Sequence, residues 1–337
     1  MSDSSGFVDH GIPVKVSSTF SSAVGMDANG KAHFYQARGQ SPTPFFILDI
    51  CLDTHETVQA NTQVPGACFP WGMCVASNGK VYVGTADTGH LFEYDPLSKQ
   101  LVDLGRPGEE SYIWTLAEGT DKKIYGGTYG RCKLVRYDPA TGQSDDLGRM
   151  DPTEQYLRSV VADSDGYVYA GIGSARAGLI AYHIESATWS QLIPEDQRVP
   201  GWGAVHIGED GQCYATSPAG NFHLTGGIAI PVETPAKKSG YLLPDGRSLS
   251  KHDAEKNYVI VKSATDSQEI RIDYEIENAG TRIFVVDKAP DGKVYGSSFL
   301  PLQLFVYDPE TGQSQNLGKP TVSAGEIYSF TIFKNQL

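Results

Sequence analysis

Short runs of alternating apolar and polar residues fill the chain, and a turn dipeptide cuts off each run. The turns Asn29-Gly30, Asn78-Gly79, Asp121-Lys122, Asp165-Gly166, Asp210-Gly211, Asp245-Gly246 and Asp291-Gly292 recur at intervals of 35 to 49 residues. Asn-Gly and Asp-Gly supply the positive φ that a two-residue hairpin needs. A period-two run follows at 80–83, 123–126, 167–170, 212–215 and 293–296, each with a tyrosine at the same phase: Tyr82, Tyr125, Tyr169, Tyr214 and Tyr295. A third run follows at 90–94, 133–137, 178–182 and 303–307, and three of these enter Asp-Pro turns at Asp95, Asp138 and Asp308. Short outer strands are expected to end near Asp103-Leu104-Gly105, Asp146-Leu147-Gly148 and Asn316-Leu317-Gly318. Helical periodicity over a long window is absent.

Four short antiparallel strands in about 40–50 residues is the period of a β-propeller blade. The pattern predicts an all-β fold, a seven-bladed β-propeller, with eight blades (one incomplete) or six as the alternatives. Residues 1–337 are expected to form a single domain. Residues 7–13 resemble an outer strand and 329–333 an inner one, so the termini are expected to meet in a closing blade. The stretch 231–280 departs most from the repeat, with highly charged outer strands at 258–262 and 269–274.

Antiparallel order sends the first and third turns of every blade to one face. Those turns are short and nearly alike. The other face takes the blade-to-blade crossovers and the loops between second and third strands. Its crossovers carry Trp71, Tyr112, Trp114, Glu154, Tyr156, Arg158, Trp202, Arg282 and Tyr328, and its loops add Tyr129, Arg131 and His223. Three of the four tryptophans fall there. Aromatic faces beside guanidinium forks suit sugars and carboxylate-bearing ligands. The competing expectation is structural: aromatics at inner-strand starts plug the axis, and Arg131, Arg158 and Arg282 pair with Asp87, Glu154 or Glu326.

Composition narrows the partners. An apolar fraction of 40%, with 37 glycines and 19 prolines, gives ample core material with dense turns and argues against disorder. A net charge of −13 speaks against nucleic acid or an anionic membrane as main partner. No apolar run of about 18 residues predicts a transmembrane helix. The polar, acidic start has no signal-peptide pattern, so a cytoplasmic location is expected, although a mature secreted form would look the same. Five cysteines without metal-type pairing are expected to be reduced, buried thiols. P-loop, dinucleotide, nucleophile-elbow and His-Glu-x-x-His patterns are absent. No cofactor and no metal site is expected, convergence of His206, His223 and a carboxylate being the one arrangement left for a metal. A monomer is expected.

The segments Val81-Tyr82-Val83-Gly84-Thr85, Tyr125-Gly126-Gly127-Thr128-Tyr129 and Leu134-Val135-Arg136-Tyr137-Asp138-Pro139-Ala140-Thr141-Gly142 resemble the β-propeller group that includes streptogramin-lyase-like proteins and propeller polysaccharide lyases. Some fungal biosynthetic propellers that act as cyclases, including hetero-Diels–Alder enzymes, are similar in outline. The lyase resemblance implies proton abstraction and β-elimination on a carboxylate-bearing sugar or similar small molecule at the axial mouth. Tyr156, Arg158 and His223 are the expected catalytic residues. Arg131, Tyr129, Trp71, Trp114, Trp202, Arg282, Tyr112 and Tyr328 are expected to bind the substrate. A cofactor-free cyclase would instead need a deep aromatic pocket, and a non-catalytic interaction platform a flat wet face.

Overall fold

A computed structural model of the chain describes residues 8–266, 268–321 and 326–331. These form seven antiparallel sheets whose strands follow one another in chain order. Sheets 1 to 7 occupy 18–61, 69–103, 112–149, 157–202, 204–232, 248–273 and 283–318. Most have four strands; sheet 4 gains a fifth and sheet 6 has three. The turn dipeptides close the first hairpins as expected: Gly79 N donates to Ala76 O, and Lys122, at φ 63°, donates to Gly119 O.

The recurrent tyrosine ties most second strands back to the turn of their own hairpin. Tyr125, Tyr214 and Tyr295 donate their hydroxyls to Asp121, Asp210 and Asp291, four residues upstream. Tyr169 donates to Asp163 and Tyr82 to Glu93. A buried phenol needs an acceptor, and a turn aspartate supplies one without leaving the blade. In sheet 1 His33 takes this position, with Nδ1 2.6 Å from Asp49 Oδ1.

Sheets pack face to face. The first strands of sheets 1 to 5 lie against one another in sequence. Tyr35, Phe45 and Ile47 of sheet 1 meet Val83 and Phe92 of sheet 2, and similar clusters fill the next three seams. Sheet 6 packs directly on sheet 1, where Phe34, Phe46 and Leu48 meet Val259, Val261 and Ile272. The innermost strand of sheet 6 is reduced to a bridge between Leu242 and Ser248. The chain before it, Pro231 to Gly240, lacks an alternating apolar run, and its residues 237–239 bond to sheet 5 instead. Sheet 7 is held by Thr281 N on Val14 O and Arg282 N on Ser41 O. Of the expected closing blade, residues 9–13 and 326–331 form no strand, and Phe7, Ile332 and Phe333 lie outside the described residues. All five cysteines are free, and burial pushes the Cys74, Cys132 and Cys213 thiols up to about 12.

The crossover into sheet 4 is clamped by charge. Asp151 accepts bonds from the backbone N–H groups of Thr153 and Glu154 at 2.8 and 2.9 Å. Its other oxygen lies 2.7 Å from Arg198, whose side chain is also buried. Arg149 donates to the carbonyls of Asp151 and Glu154. Burial alone would push the Asp151 carboxyl up. The two N–H donors and the Arg198 guanidinium outweigh it and hold the group below the usual carboxylate range.

Two predictions follow from these contacts. Phe34→Ala should cost about 3–5 kcal/mol in denaturant unfolding; a loss under about 1 kcal/mol would show that sheets 1 and 6 are not packed together. A depressed carboxyl contributes stability above its unfolded pKa and loses it as pH falls through the folded value. Asp151→Asn should therefore destabilise by about 1–3 kcal/mol at pH 7, and the gap between variant and parent should close in acid. A gap that stays constant down to pH 3 would remove this role.

Candidate functional site

The crossovers bring one continuous aromatic train to a single face. Trp71 lies on the strand Phe69–Val75, and Tyr112 and Trp114 lie on Tyr112–Glu118. The strand register slips at Trp71, Trp114 and Arg158, each left unpaired between two partnered neighbours, and such a bulge re-aims the side chain out of strict alternation. Tyr156 bridges back to Tyr129 at the end of the strand Ile124–Tyr129. Trp202 pairs with Gly173 in the same manner one sheet later. That pairing requires glycine at 173, because its φ is +138° and a Cβ there would come within 2.4 Å of the Gly201 carbonyl.

Ring centroids are 5.0 Å apart for Trp71 and Trp114, 5.6 Å for Tyr112 and Trp114, 4.2 Å for Tyr129 and Tyr156, and 5.2 Å for Tyr156 and Trp202. Tilted and edge-to-face pairs at such distances are mutually stabilising. Phe20 extends the train beyond Trp71 at 5.0 Å. Sequence reasoning missed Phe20, although its place near the start of an inner strand was the available signal. Trp71 and Trp202 remain 38% and 40% exposed, so the face is an open mouth rather than a closed pocket.

Arg158 stands in the middle. Its guanidinium carbon is 4.4 Å from the centre of Trp202, 5.8 Å from Tyr156 and 5.9 Å from Trp114. The anticipated partner Glu154 is buried and accepts a 2.7 Å bond from the Arg176 backbone instead. Among the described residues no carboxylate and no hydrogen-bond acceptor engages Arg158. The other crossover arginines of this region are committed. Arg131 lies 2.6 Å from Glu110 and 2.8 Å from Glu109. Arg176 and Arg198 both engage Glu195.

Three expected site residues stand apart. His223 is not on a loop. It sits within the strand Gly220–Thr225, opposite Tyr214, and its ring packs on Tyr214 at 5.3 Å. Strand pairing, invisible in the local sequence, carries it below the mouth. Arg282 lies just before the first strand of sheet 7, without a side-chain partner among the described residues. Tyr328 joins Phe284 and Phe299 in a separate aromatic group and donates to Glu326.

The phenols of the mouth are weak acids. Burial raises Tyr156, and hydrogen bonding to Tyr129 raises it further, against the pull of Arg158. The hydrogen bond to Asp87, with burial and the Asp87 charge, pushes Tyr112 up to about 12. Both are therefore protonated donors at neutral pH. The indole N–H of Trp114 is buried without a partner. Among the described residues no group of three or more His, Cys, Asp or Glu side chains is placed to hold a metal ion. The mouth thus offers one unpaired cation, flat π faces and hydroxyl donors.

No family model matches the chain, and no curated protein matches it. Similar solved structures include streptogramin B lyases. A catalytically inactive virginiamycin B lyase from Staphylococcus aureus with quinupristin has a TM-score of 0.49 at 13% identity, over 84% of this chain and 92% of that one. A streptogramin B lyase has a TM-score of 0.43 at 12% identity, over 85% and 91%. The extracellular domain of a one-component system protein from B. thetaiotaomicron has a TM-score of 0.45 at 15% identity, over 87% of this chain and 40% of that one. These scores lie below 0.5, so neither ligand nor mechanism transfers from them.

Proposed function

We propose that this protein is a β-propeller whose crossover face binds a carboxylate-bearing small molecule, an acidic sugar being the class that fits best, and that turnover there is of lyase type. One observation carries this reading: Arg158 rests on three aromatic rings with no anion beside it among the described residues. A cation held over indole faces keeps its fork free for a bidentate carboxylate. The exposed faces of Trp71 and Trp202 suit the flat side of a sugar ring.

A carboxylate neutralised by Arg158 makes the adjacent C–H more acidic. In the elimination we propose, Tyr156 takes that proton while its own passes through Tyr129 to the departing oxygen. The C–O bond breaks, the C=C bond forms, and both phenols are regenerated. The close Tyr129–Tyr156 pair, with ring centroids 4.2 Å apart, beside Arg158 supports this step. A second reading, binding without turnover, is favoured by the raised Tyr156, which is a better donor than base at neutral pH. The open mouth disfavours a cyclase, which needs its substrate enclosed.

The contiguous first strands of sheets 1 to 5, and sheet 6 packed on sheet 1, favour a ring of six sheets. Sheet 7 then lies outside it, and the seven-bladed count would need sheet 7 inserted between sheets 6 and 1.

Glucuronate binding, followed by tryptophan fluorescence, tests the site. Arg158→Ala should weaken it by about tenfold or more, the worth of a charge-assisted hydrogen bond. Arg158→Lys should recover only part, because the planar fork is lost. Equal affinity in all three proteins would sink the proposal. Tyr156→Phe should keep affinity within about twofold while abolishing formation of the unsaturated product. Persistent turnover in that variant would remove Tyr156 from the chemistry, and binding without turnover in the parent would establish the second reading.

A further inference from the structure

A cavity with a different lining lies beside the start of sheet 1. It measures about 560 Å³ and opens where sheet 1 meets the 254–257 turn of sheet 6 and the loops of sheet 7. That volume is typical of a small-molecule site. Its wall contains Arg38, which is only 2% exposed. Burying a guanidinium is costly unless an anion accompanies it. All the acceptors around Arg38 are neutral: Ser17 Oγ at 3.0 Å, Gln36 Oε1 at 3.1 Å, and the carbonyls of Ser17 and Ala254 at 3.2 Å. Among the described residues no carboxylate pairs with it, and burial lowers its pKa.

The rest of the wall continues the pattern. Lys15 is exposed at the rim and has no ion pair among the described residues. The one acid of the wall, Glu255, is taken by Lys319. Arg38 and Lys15 thus leave an uncompensated positive well on a chain whose net charge is −13. Asn257 and Asn278 also line the cavity, and their side-chain oxygens are buried behind its surface without a hydrogen-bond partner. A strut between sheets would need Arg38 alone, and neither the space nor the unpaired Lys15 nor the orphaned amide oxygens.

We infer that this cavity is a binding site for a polyhydroxylated anion, a sugar acid or sugar phosphate. Its oxyanion would sit in the field of Arg38 and Lys15, and its hydroxyls would draw the buried Asn257 and Asn278 oxygens round into the cavity as acceptors. The two cations select charge and the two amide oxygens select hydroxyls, so neither a bare oxyanion nor a neutral sugar satisfies the wall.

Calorimetric titration on Arg158→Ala protein, in which the mouth is disabled, isolates this site. Gluconate and glucose 6-phosphate are the probes, and glucose is the uncharged control. At least one anion should bind saturably at one site, with glucose at least about tenfold weaker. Lys15→Glu should weaken the anion by about tenfold or more. This change tests the site without unfolding it, because Lys15 is exposed, whereas replacing Arg38 also removes a tie between sheets 1 and 6. The relative affinities of gluconate and glucose 6-phosphate distinguish carboxylate from phosphate recognition. No saturable binding of either anion, equal binding of glucose, or unchanged binding in Lys15→Glu would overturn the inference.

Discussion

A sheet of four short strands with apolar residues on both faces cannot bury them alone. Everything else in this protein depends on that constraint. Tyr35 and Phe46 leave opposite faces of sheet 1, and each meets a different neighbour, sheet 2 on one side and sheet 6 on the other. Stacking satisfies both faces at once and sets the first strands side by side. The crossovers that join successive sheets are then forced to one end of the stack. Tyr156 and Trp202, 46 residues apart in sequence, come into contact because each begins a blade and pairs back to the preceding one.

Electrostatics sort the arginines of that end by burial and partner. Arg198 is spent on Asp151 and Glu195, Arg149 on two carbonyls, and Arg131 on two glutamates. These ties fix the loops. Arg158, bulged near the start of its strand, reaches past them onto the indoles. Aromatic rings hold a guanidinium without neutralising it. The result is a positioned charge that still has its hydrogen-bonding capacity. Arg38 is a different case, since burial rather than exposure leaves it without an anion.

Much of this was legible in the residues themselves. Turn dipeptides fix where hairpins close because only certain residues accept their φ, and period-two alternation fixes which side chains face inward. The strands and their order within each sheet follow from those local rules. That the cysteines are free, and all but the half-buried Cys74 fully buried, was equally plain from their number and spacing.

Contacts between distant segments were decided only by the tertiary structure. Whether Arg158 or Arg131 carries the free charge depends on which glutamate comes near, and Glu154 turns away to the Arg176 backbone. His223 leaves the site because strand pairing places it opposite Tyr214. Sheet 6 reaches sheet 1 because its innermost strand shrinks to one bridge, and the Arg38 cavity exists only where three sheets meet. Backbone conformation is chosen locally by sterics and turn chemistry, so the sequence determines it. Charge pairing and cavities belong to segments brought together by packing, and no local rule records which segments those are.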